Sequence, residues 1–216
     1  MVHISTIKSE ALDRFLAAGW YRMHHTMFTT NFINQDDPAT RVFWLRYHVG
    51  NIRLAKHRPL LRRNAEFSAT YRGLVMTDEL NELYSAYHNN VDHECSDNLQ
   101  GVLGVMEKPS FDSYLIEVRH HHKLIAAGIF DKGKDSIAGI VNFYHPDYKK
   151  YSLGKYLMLL KVQYCRDHQL EWYYPGYFGA NLPKFAYKLF VDKNATEVFI
   201  PEIKQWISYA DFTTVI

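Results

Sequence analysis

The sequence predicts an α+β fold in which a mixed sheet is flanked by helices. Three strand-like segments follow one another directly, at Tyr114–His121, Lys123–Phe130 and Ser136–Tyr144. A helical segment, Tyr156–Asp167, comes next and is followed by one more strand-like segment, Trp172–Tyr177. Successive strands followed by a strand-helix-strand unit are typical of an α+β or mixed α/β sheet.

The segments on either side extend this pattern. The run Ser9–Ala18 predicts a helix that ends at Gly19, and Thr77 caps a second helical run that reaches His88. The other predicted elements are a turn at 34–38, a strand at Arg41–Tyr47, a hairpin turn at 132–135, a short helix or turn at Lys184–Phe190 and a strand at Glu197–Phe199.

Composition excludes several classes of protein. No run approaches the roughly 18 apolar residues that a membrane span needs. The first fifteen residues carry charges where a signal peptide needs an apolar core, and the chain has only 2 cysteines. We therefore expect a cytoplasmic protein without a disulfide framework. The net charge of +2 excludes a strongly basic nucleic-acid binder, so any polyanion site must come from local clustering.

Histidine clusters invite a metal interpretation. His120 and His122 would share one strand face, with His121 on the other. A metal site needs further ligands at defined positions, and neither this run nor the group His88, His93 and Cys95 offers them. We therefore predict no metal site and interpret these residues as a solvated strand and a polar loop.

A basic run lies between residues 53 and 63. It holds Arg53, Lys56, His57, Arg58, Arg62 and Arg63, and no Asp or Glu lies between Asp37 and Glu66. Such a cluster suits a phosphate backbone, through long-range attraction and bidentate guanidinium contacts. A solvated surface is the alternative, and the run alone does not decide between them.

The segment FYHPDYKKYSLGKYLMLLKVQYCRDHQLEWYYPGYF, residues 143–178, reads as strand, loop, helix and strand. The start of such a helix places backbone N–H groups where they meet an anion, with Ser152 as cap or donor and Gly154 allowing close approach. Tyrosine rings with hydroxyl groups suit stacking on bases or on a flat side chain. The alternative is that half of these tyrosines are core residues.

Several linked motifs in this part of the chain resemble the arginyl-tRNA–protein transferase family and its bacterial leucyl-transferase relatives. The resemblance spans most of the chain and is carried by Asn142–Asp147, Ser152–Tyr156, Tyr174–Phe178, Phe185–Lys188, Gly19–Arg22 and Leu61–Asn64.

The resemblance implies a GCN5-related acetyltransferase-like mixed sheet with an N-terminal extension packed on it. We expect an N-terminal region at 1–75 and an aminoacyl-transfer domain at 76–216. The implied reaction moves an arginyl or leucyl group from aminoacyl-tRNA to the N-terminal amine of a protein, with an acidic N-terminus as acceptor. Protein arginylation of this kind creates an N-degron, which marks the protein for degradation.

Two departures from the family pattern affect these expectations. Family members carry paired cysteines after the segment that corresponds to Gly19–Arg22, whereas residues 22–46 contain no cysteine. The chain also departs at Asp192–Asn194. We therefore expect no metal or iron–sulfur cofactor, with aminoacyl-tRNA as the only co-substrate.

The site residues follow from the matched motifs. Tyr144 and Tyr177 would position the donor, and Tyr187 with Lys188 would contact phosphate or the oxyanion. Asp147 would orient the amine or cap the following turn, and no general base is identified. The residues expected to contact tRNA are Arg58, Arg62, Arg63, Asn64, Ser152, Lys155 and Tyr156.

Two other functions fit the same residues. One is an acyl-CoA-dependent N-acyltransferase of the same fold, which a measurable affinity for CoA would favour. The other is a non-catalytic tRNA-binding derivative, which tRNA binding without turnover would favour.

Overall fold

The computed structural model describes residues 2–3, 6–33, 39–92, 95–104, 110–179 and 187–215. The helices are α1 (Glu10–Ala17), α2 (Arg58–Arg63), α3 (Asp78–His88), α4 (Leu99–Leu103), α5 (Leu153–Asp167) and α6 (Tyr209–Val215). The strands are β1 (Val2–His3), β2 (Tyr21–Met23), β3 (Thr26–Phe28), β4 (Phe32–Ile33), β5 (Thr40–Arg41), β6 (Phe43–His48), β7 (Ser68–Gly73), β8 (Ser113–His120), β9 (Lys123–Lys132), β10 (Ser136–Tyr144), β11 (Trp172–Phe178), β12 (Thr196–Ile200) and β13 (Gln205–Ser208).

One eight-stranded sheet organises the chain, in the order β13-β12-β6-β11-β10-β9-β8-β7. Its neighbouring strands pair antiparallel, except for β10 and β11, which pair parallel through the crossover helix α5. The predicted mixed sheet flanked by helices is therefore confirmed. The predicted strand-helix-strand unit is present, with α5 starting three residues earlier than expected.

Helices cover the two faces of this sheet with alternating strand residues between them. Leu157 and Val162 of α5 pack against Phe130, while Tyr84 of α3 packs against Phe143 from the other face. These side chains are at most 1% exposed, and a fully buried side chain of this size contributes about 1.5–3 kcal/mol through the hydrophobic effect. The two helices therefore cover the two faces of β9 and β10.

The N-terminal segment packs onto the main sheet, as predicted. Leu12 and Leu16 of α1 form one apolar cluster with Trp44 of β6 and Tyr174 of β11. The main sheet contains β6 and β7 as well as the strands after residue 76. The division of the chain at residue 75 stays a prediction.

The structure differs from the sequence prediction at the end of β8. The strand prediction for His121 is wrong: β8 ends at His120, and His121 lies in the hairpin turn with a φ of 54°. His120 and His122 therefore do not share a strand face. The turn predicted at 34–38 lies outside the described residues.

Two kinds of feature are absent from the described part of the chain. It contains no group of three His, Cys, Asp or Glu side chains placed to hold a metal ion. No helix there combines the length and the apolar character that crossing a bilayer requires.

Candidate active site

The parallel strands β10 and β11 separate after a short pairing. Their register runs only from Ser136 opposite Trp172 to Ala138 opposite Tyr174. Beyond it, β10 has a bulge between Gly139 and Val141 on its β9 side, and β11 shifts register against β6 before Gly176. Pro175 has no N–H group to donate to a ladder, so the strands diverge at this point.

A cavity opens where the two strands diverge, and we call it the strand cavity. Its volume is about 80 Å³. Its lining comes from β10, β11, α5 and the 3₁₀ turn Tyr187–Phe190, namely Gly139, Ile140, Val141, Asn142, Met158, Lys161, Tyr173, Pro175, Tyr187 and Lys188. Two lysines therefore face one small space.

Lys161 reaches the strand cavity from α5. Its Nζ donates hydrogen bonds to the carbonyl oxygen of Ile129, at 3.0 Å, and to Oδ1 of Asn142, at 2.8 Å. The residue is 1% exposed, and burial lowers the pKa of its amine to about 7, although nearby Asp131 opposes the shift. Near neutral pH, a large fraction of Lys161 is therefore an uncharged amine.

Lys188 reaches the same cavity from the turn after β11. Its Nζ donates to the carbonyl oxygen of Tyr177, at 2.7 Å, and burial lowers the pKa of this amine to about 7. The amine also lies over Gly176, where a Cβ would approach Nζ to 3.0 Å. Gly176 has a φ of +98°, so close approach and backbone conformation both favour glycine there.

Gly139 keeps the strand cavity open between Lys161 and Tyr173. A Cβ at this position would lie 3.2 Å from the Tyr173 hydroxyl oxygen and 3.6 Å from Nζ of Lys161. Gly139 pairs with Phe130, which packs against α5, so Gly139 lies on the face that carries α5. The missing side chain therefore leaves the space that the two polar groups face.

A larger cavity lies beyond the end of β10, and we call it the tyrosine cavity. Its volume is about 410 Å³, and its lining is Tyr87, Asn90, Val91, Asp92, Tyr144, Pro146 and Lys149. The rings of Tyr87 and Tyr144 meet edge to face, with centroids 5.5 Å apart. Tyr144 follows Asn142 by two residues, so the two cavities are about 7 Å apart along β10.

The structure distributes the predicted catalytic residues over three places. Tyr187 and Lys188 line the strand cavity, and the Tyr177 ring lies beside it, with its centroid 5.1 Å from Nζ of Lys188. Tyr144 lines the tyrosine cavity. The Asp147 side chain is 73% exposed, with its carboxylate 3.5 Å from Nδ1 of His145.

Sequence reasoning missed Lys161, Asn142, Tyr173 and Gly139. Lys161 had a detectable signal, since it is the single charged residue within the apolar stretch from Leu157 to Val162. A lysine on the buried face of a helix is rare unless it has partners. The other three became visible only once the bulge in β10 was known.

The residues predicted to contact tRNA fall into exposed and buried groups. Arg58, Arg62, Arg63 and Lys155 are exposed. Asn64 is buried, and its Nδ2 donates to the carbonyl oxygen of Tyr151 at 3.1 Å.

Two further members of that predicted set lie in α5 and at its start. Tyr156 is 7% exposed and packs in the core. Ser152 has a φ of 55° and makes no side-chain cap bond, because it ends one 3₁₀ turn and directly starts α5. The predicted capping role of the Ser152 side chain is therefore wrong.

The structure supplies an acidic partner for part of the basic run. Asp192 lies 3.0 Å from Nζ of Lys56 and 3.4 Å from Nε of Arg53, and its side chain is 1% exposed. No acidic residue lies within the run in sequence, and the partner of these two residues comes from a distant part of the chain.

The remaining basic residues form one surface around the start of α5, which we call the basic surface. The guanidinium of Arg63 donates to the carbonyl oxygen of Lys150 at 3.4 Å, which joins α2 to the 3₁₀ turn Pro146–Tyr151. The members of the basic surface are Arg58, Arg62, Arg63, Lys149, Lys150 and Lys155, and all are exposed.

The sequence matches a known protein family over the part of the chain that forms the strand cavity. Residues 79–194, more than half of the chain, match the family model described as arginine-tRNA-protein transferase, C terminus. The chain belongs to this family. The matched residues include β8 to β11 and α5, so the strand cavity lies within the part that the family shares.

Curated relatives extend the similarity to nearly the whole chain. An aspartate/glutamate leucyltransferase of Leptospira interrogans is 23% identical over 212 residues, which cover 95% of this chain and 81% of the relative. One of Chromobacterium violaceum is 31% identical over 134 residues, which cover 61% and 55% of the two chains.

Solved structures share the fold at low sequence identity. FemX superposes with a TM-score of 0.51 at 9% identity, over 87% of this chain and 65% of FemX. A tandem GNAT protein is also among the structural neighbours, with a TM-score of 0.42 at 14% identity. The superposition covers 83% of the present chain and 53% of the tandem GNAT protein.

Proposed function

We propose that this protein transfers an aminoacyl group from aminoacyl-tRNA to the N-terminal amine of a protein or peptide, with the reaction taking place in the strand cavity. The observation that carries the proposal is the pair of buried lysines, Lys161 and Lys188, facing one cavity in a member of the arginine-tRNA-protein transferase family. Both amines have pKa values of about 7, in the range that suits proton transfer at neutral pH.

The names of the relatives indicate the substrate classes. An aspartate/glutamate leucyltransferase is named for a leucyl donor and for aspartate and glutamate as acceptors. We infer the same for this protein: an arginyl or leucyl donor, an N-terminal Asp or Glu as acceptor, a product marked for degradation, and a place of action in the cytoplasm.

For this reaction the protein must mainly align the two substrates and stabilise the charge of the oxyanion. An aminoacyl ester is already activated, so transfer needs an uncharged attacking amine, correct orientation and stabilisation of the tetrahedral oxyanion. The protonated form of Lys188 supplies a hydrogen-bond donor for that oxyanion, next to the hydroxyl groups of Tyr187 and Tyr173. The diverging strands leave the space in which the ester and the amine meet.

The donor tRNA would follow a path from the basic surface to the strand cavity. The basic surface surrounds the start of α5, and Lys161 lies eight residues further along, about 12 Å at the helical rise. The tyrosine cavity lies beside this path, and its rings offer faces for the terminal base. We assign the terminal nucleotide to the tyrosine cavity and the aminoacyl ester to the strand cavity.

A transfer assay with two donors tests the proposal. The purified protein is mixed with labelled bulk aminoacyl-tRNA and with peptides that begin with Asp, Glu, Arg or Ala, and a parallel reaction contains labelled acetyl-CoA. The proposal predicts label from tRNA on the acidic peptides. Label from acetyl-CoA alone would assign the protein to the acyltransferases, and tRNA binding without any transfer would indicate a non-catalytic derivative.

A further inference from the structure

We infer that Lys161 is the general base of aminoacyl transfer, accepting the proton of the attacking amine in the strand cavity. This inference rests on the proposed function and adds to it the proton acceptor that sequence reasoning left unnamed. The observations that carry it are the two hydrogen bonds of Lys161, its burial and its place in the cavity lining.

The two acceptors around Lys161 fix the direction of its lone pair. An uncharged primary amine has two N–H bonds and one lone pair in a tetrahedral arrangement. The carbonyl oxygen of Ile129 and Oδ1 of Asn142 accept the two N–H bonds, at 3.0 and 2.8 Å. The remaining position is left for the lone pair, on an atom that lies 3.6 Å from where a Cβ of Gly139 would be. The amine is therefore arranged to accept a proton from a group in the cavity.

Some of the groups around Lys161 favour its protonated form and others favour its uncharged form. Those that face it are Asp131 on β9, Tyr173 on β11, Cys165 on α5, and Tyr187 and Lys188 on the turn after β11. The buried Asp131 carboxylate favours protonated Lys161, whereas burial and a protonated Lys188 disfavour it. Asp131 also pairs with Arg22 at 2.8 Å, so its charge is already compensated. Lys161 can therefore take up a proton in the reaction and release it afterwards.

The proton and bond changes balance without any further reactant. The acceptor nitrogen attacks the ester carbonyl carbon, and Lys161 removes a proton from that nitrogen as the new C–N bond forms. The bond from the carbonyl carbon to the ribose oxygen then breaks, and Lys161 returns the proton to that oxygen. Nucleophilic attack by Lys161 itself would produce a stable amide and end turnover, so the role of base is the one that permits catalysis.

The test compares single-turnover transfer by the unmodified protein with Lys161→Met across pH 5.5–9. Because transfer needs Lys161 uncharged and Lys188 protonated, and both pKa values are about 7, we expect the wild-type rate constant to pass through a maximum near pH 7. Lys161→Met, which keeps the volume, should lower the single-turnover rate constant about 100-fold or more, change the half-saturating substrate concentration little, and lose the rise that Lys161 causes while keeping the fall that Lys188 causes. Lys8→Met, at an exposed lysine outside the site, serves as the matched control and should keep the wild-type profile.

Two further measurements keep the inference open to contradiction. Lys161→Gln retains an N–H donor without a base, so it replaces the Met variant if that variant does not fold, as judged by its melting curve. A carbon-13 NMR titration of labelled lysines measures the Lys161 pKa directly, and a value near 10 would overturn the inference. Transfer by Lys161→Met with the wild-type profile would overturn the inference but leave the proposed function standing. An absence of transfer by the wild-type protein would contradict both the inference and the proposed function.

Discussion

Burial changes the proton affinity of two individual residues that line the strand cavity. Lys161 and Lys188 are ordinary lysines in composition, and their amines become unusual only because the fold removes them from water. Lys188 was predictable because it sits in a family motif. Lys161 was overlooked because its partners, Ile129 and Asn142, come from neighbouring strands that the sequence does not place next to it.

Gly139→Ala should damage the site more than the fold. The added methyl group would approach the Tyr173 hydroxyl to 3.2 Å and occupy space next to Lys161. We expect transfer to fall about tenfold or more, with a loss of about 1 kcal/mol in the free energy of unfolding. Gly73→Ala is the control, since its Cβ would meet nothing within 4 Å. Equal transfer rates in both variants would show that the space at Gly139 is not used.

Lys188→Met and Tyr177→Phe measure separately how much the Lys188 charge and the Tyr177 hydroxyl contribute to kcat. Loss of one oxyanion donor costs about 100-fold in kcat, which is our expectation for Lys188→Met. Tyr177→Phe keeps the carbonyl oxygen that accepts from Lys188 and removes only the side-chain oxygen. Because this removes about one hydrogen bond, we expect kcat to fall about twofold to tenfold. Transfer kinetics of the purified variants measure both, and wild-type rates in both would contradict the placement of the site.

At the scale of elements, the divergence of β10 and β11 makes the site. The strands and α5 were predictable from residue patterns, and Pro175 with Gly176 signalled an interruption. The bulge at Gly139 and the register shift against β6 were not predictable, because they depend on pairing with strands far away in sequence. The local pattern therefore indicated the framework but not the opening.

Contacts from four residues distant in sequence hold the segment that carries Lys188. The Tyr47 hydroxyl donates to the carbonyl oxygen of Lys188, and the His57 ring bonds the carbonyl oxygen of Val191 at 2.6 Å. Asp192 adds ion pairs to Lys56 and Arg53. Part of the basic run therefore positions a site residue, a role that its charge alone did not suggest.

Asp192→Asn should weaken this segment in a pH-dependent way. Burial alone would raise the Asp192 pKa, but hydrogen bonds from Lys56 and from the Arg53 amide outweigh burial and lower it to about 2. A depressed carboxyl pKa adds stability above pH 4, which is lost as pH falls towards 2. Since Arg53 is 64% exposed, solvent screening reduces the expected difference to about 1 kcal/mol. Urea unfolding at pH 7 and pH 2.5 measures it, and a difference at pH 2.5 as large as that at pH 7 would contradict this assignment.

At the scale of the whole molecule, the basic surface and the strand cavity lie on one folded framework, which is built around the eight-stranded sheet. The modest net charge of +2 hides this arrangement, because the cations of the basic surface are collected around the start of α5. Family membership was predictable from linked motifs, and the fold class with it. The relation between the basic surface and the strand cavity required the three-dimensional structure.

Arg62→Gln should weaken tRNA binding through charge alone. Removal of one phosphate contact should raise KM for aminoacyl-tRNA and reduce the slope of log affinity against log salt by about 0.7 to 0.9. The control is Arg14→Gln, an equal charge change at an 83% exposed arginine on α1. Binding titrations at several salt concentrations measure both slopes, and the same change in the two variants would indicate only a net-charge effect.

The most direct measurement is a structure of the protein bound to a 3′-aminoacylamino-adenosine, in which an amide replaces the reactive ester. We predict that its aminoacyl carbonyl lies in the strand cavity between Gly139, Lys161 and Lys188, with the adenine against Tyr87 and Tyr144. An aminoacyl group bound elsewhere, with the strand cavity left open to solvent, would contradict the assignment of this cavity as the site of transfer.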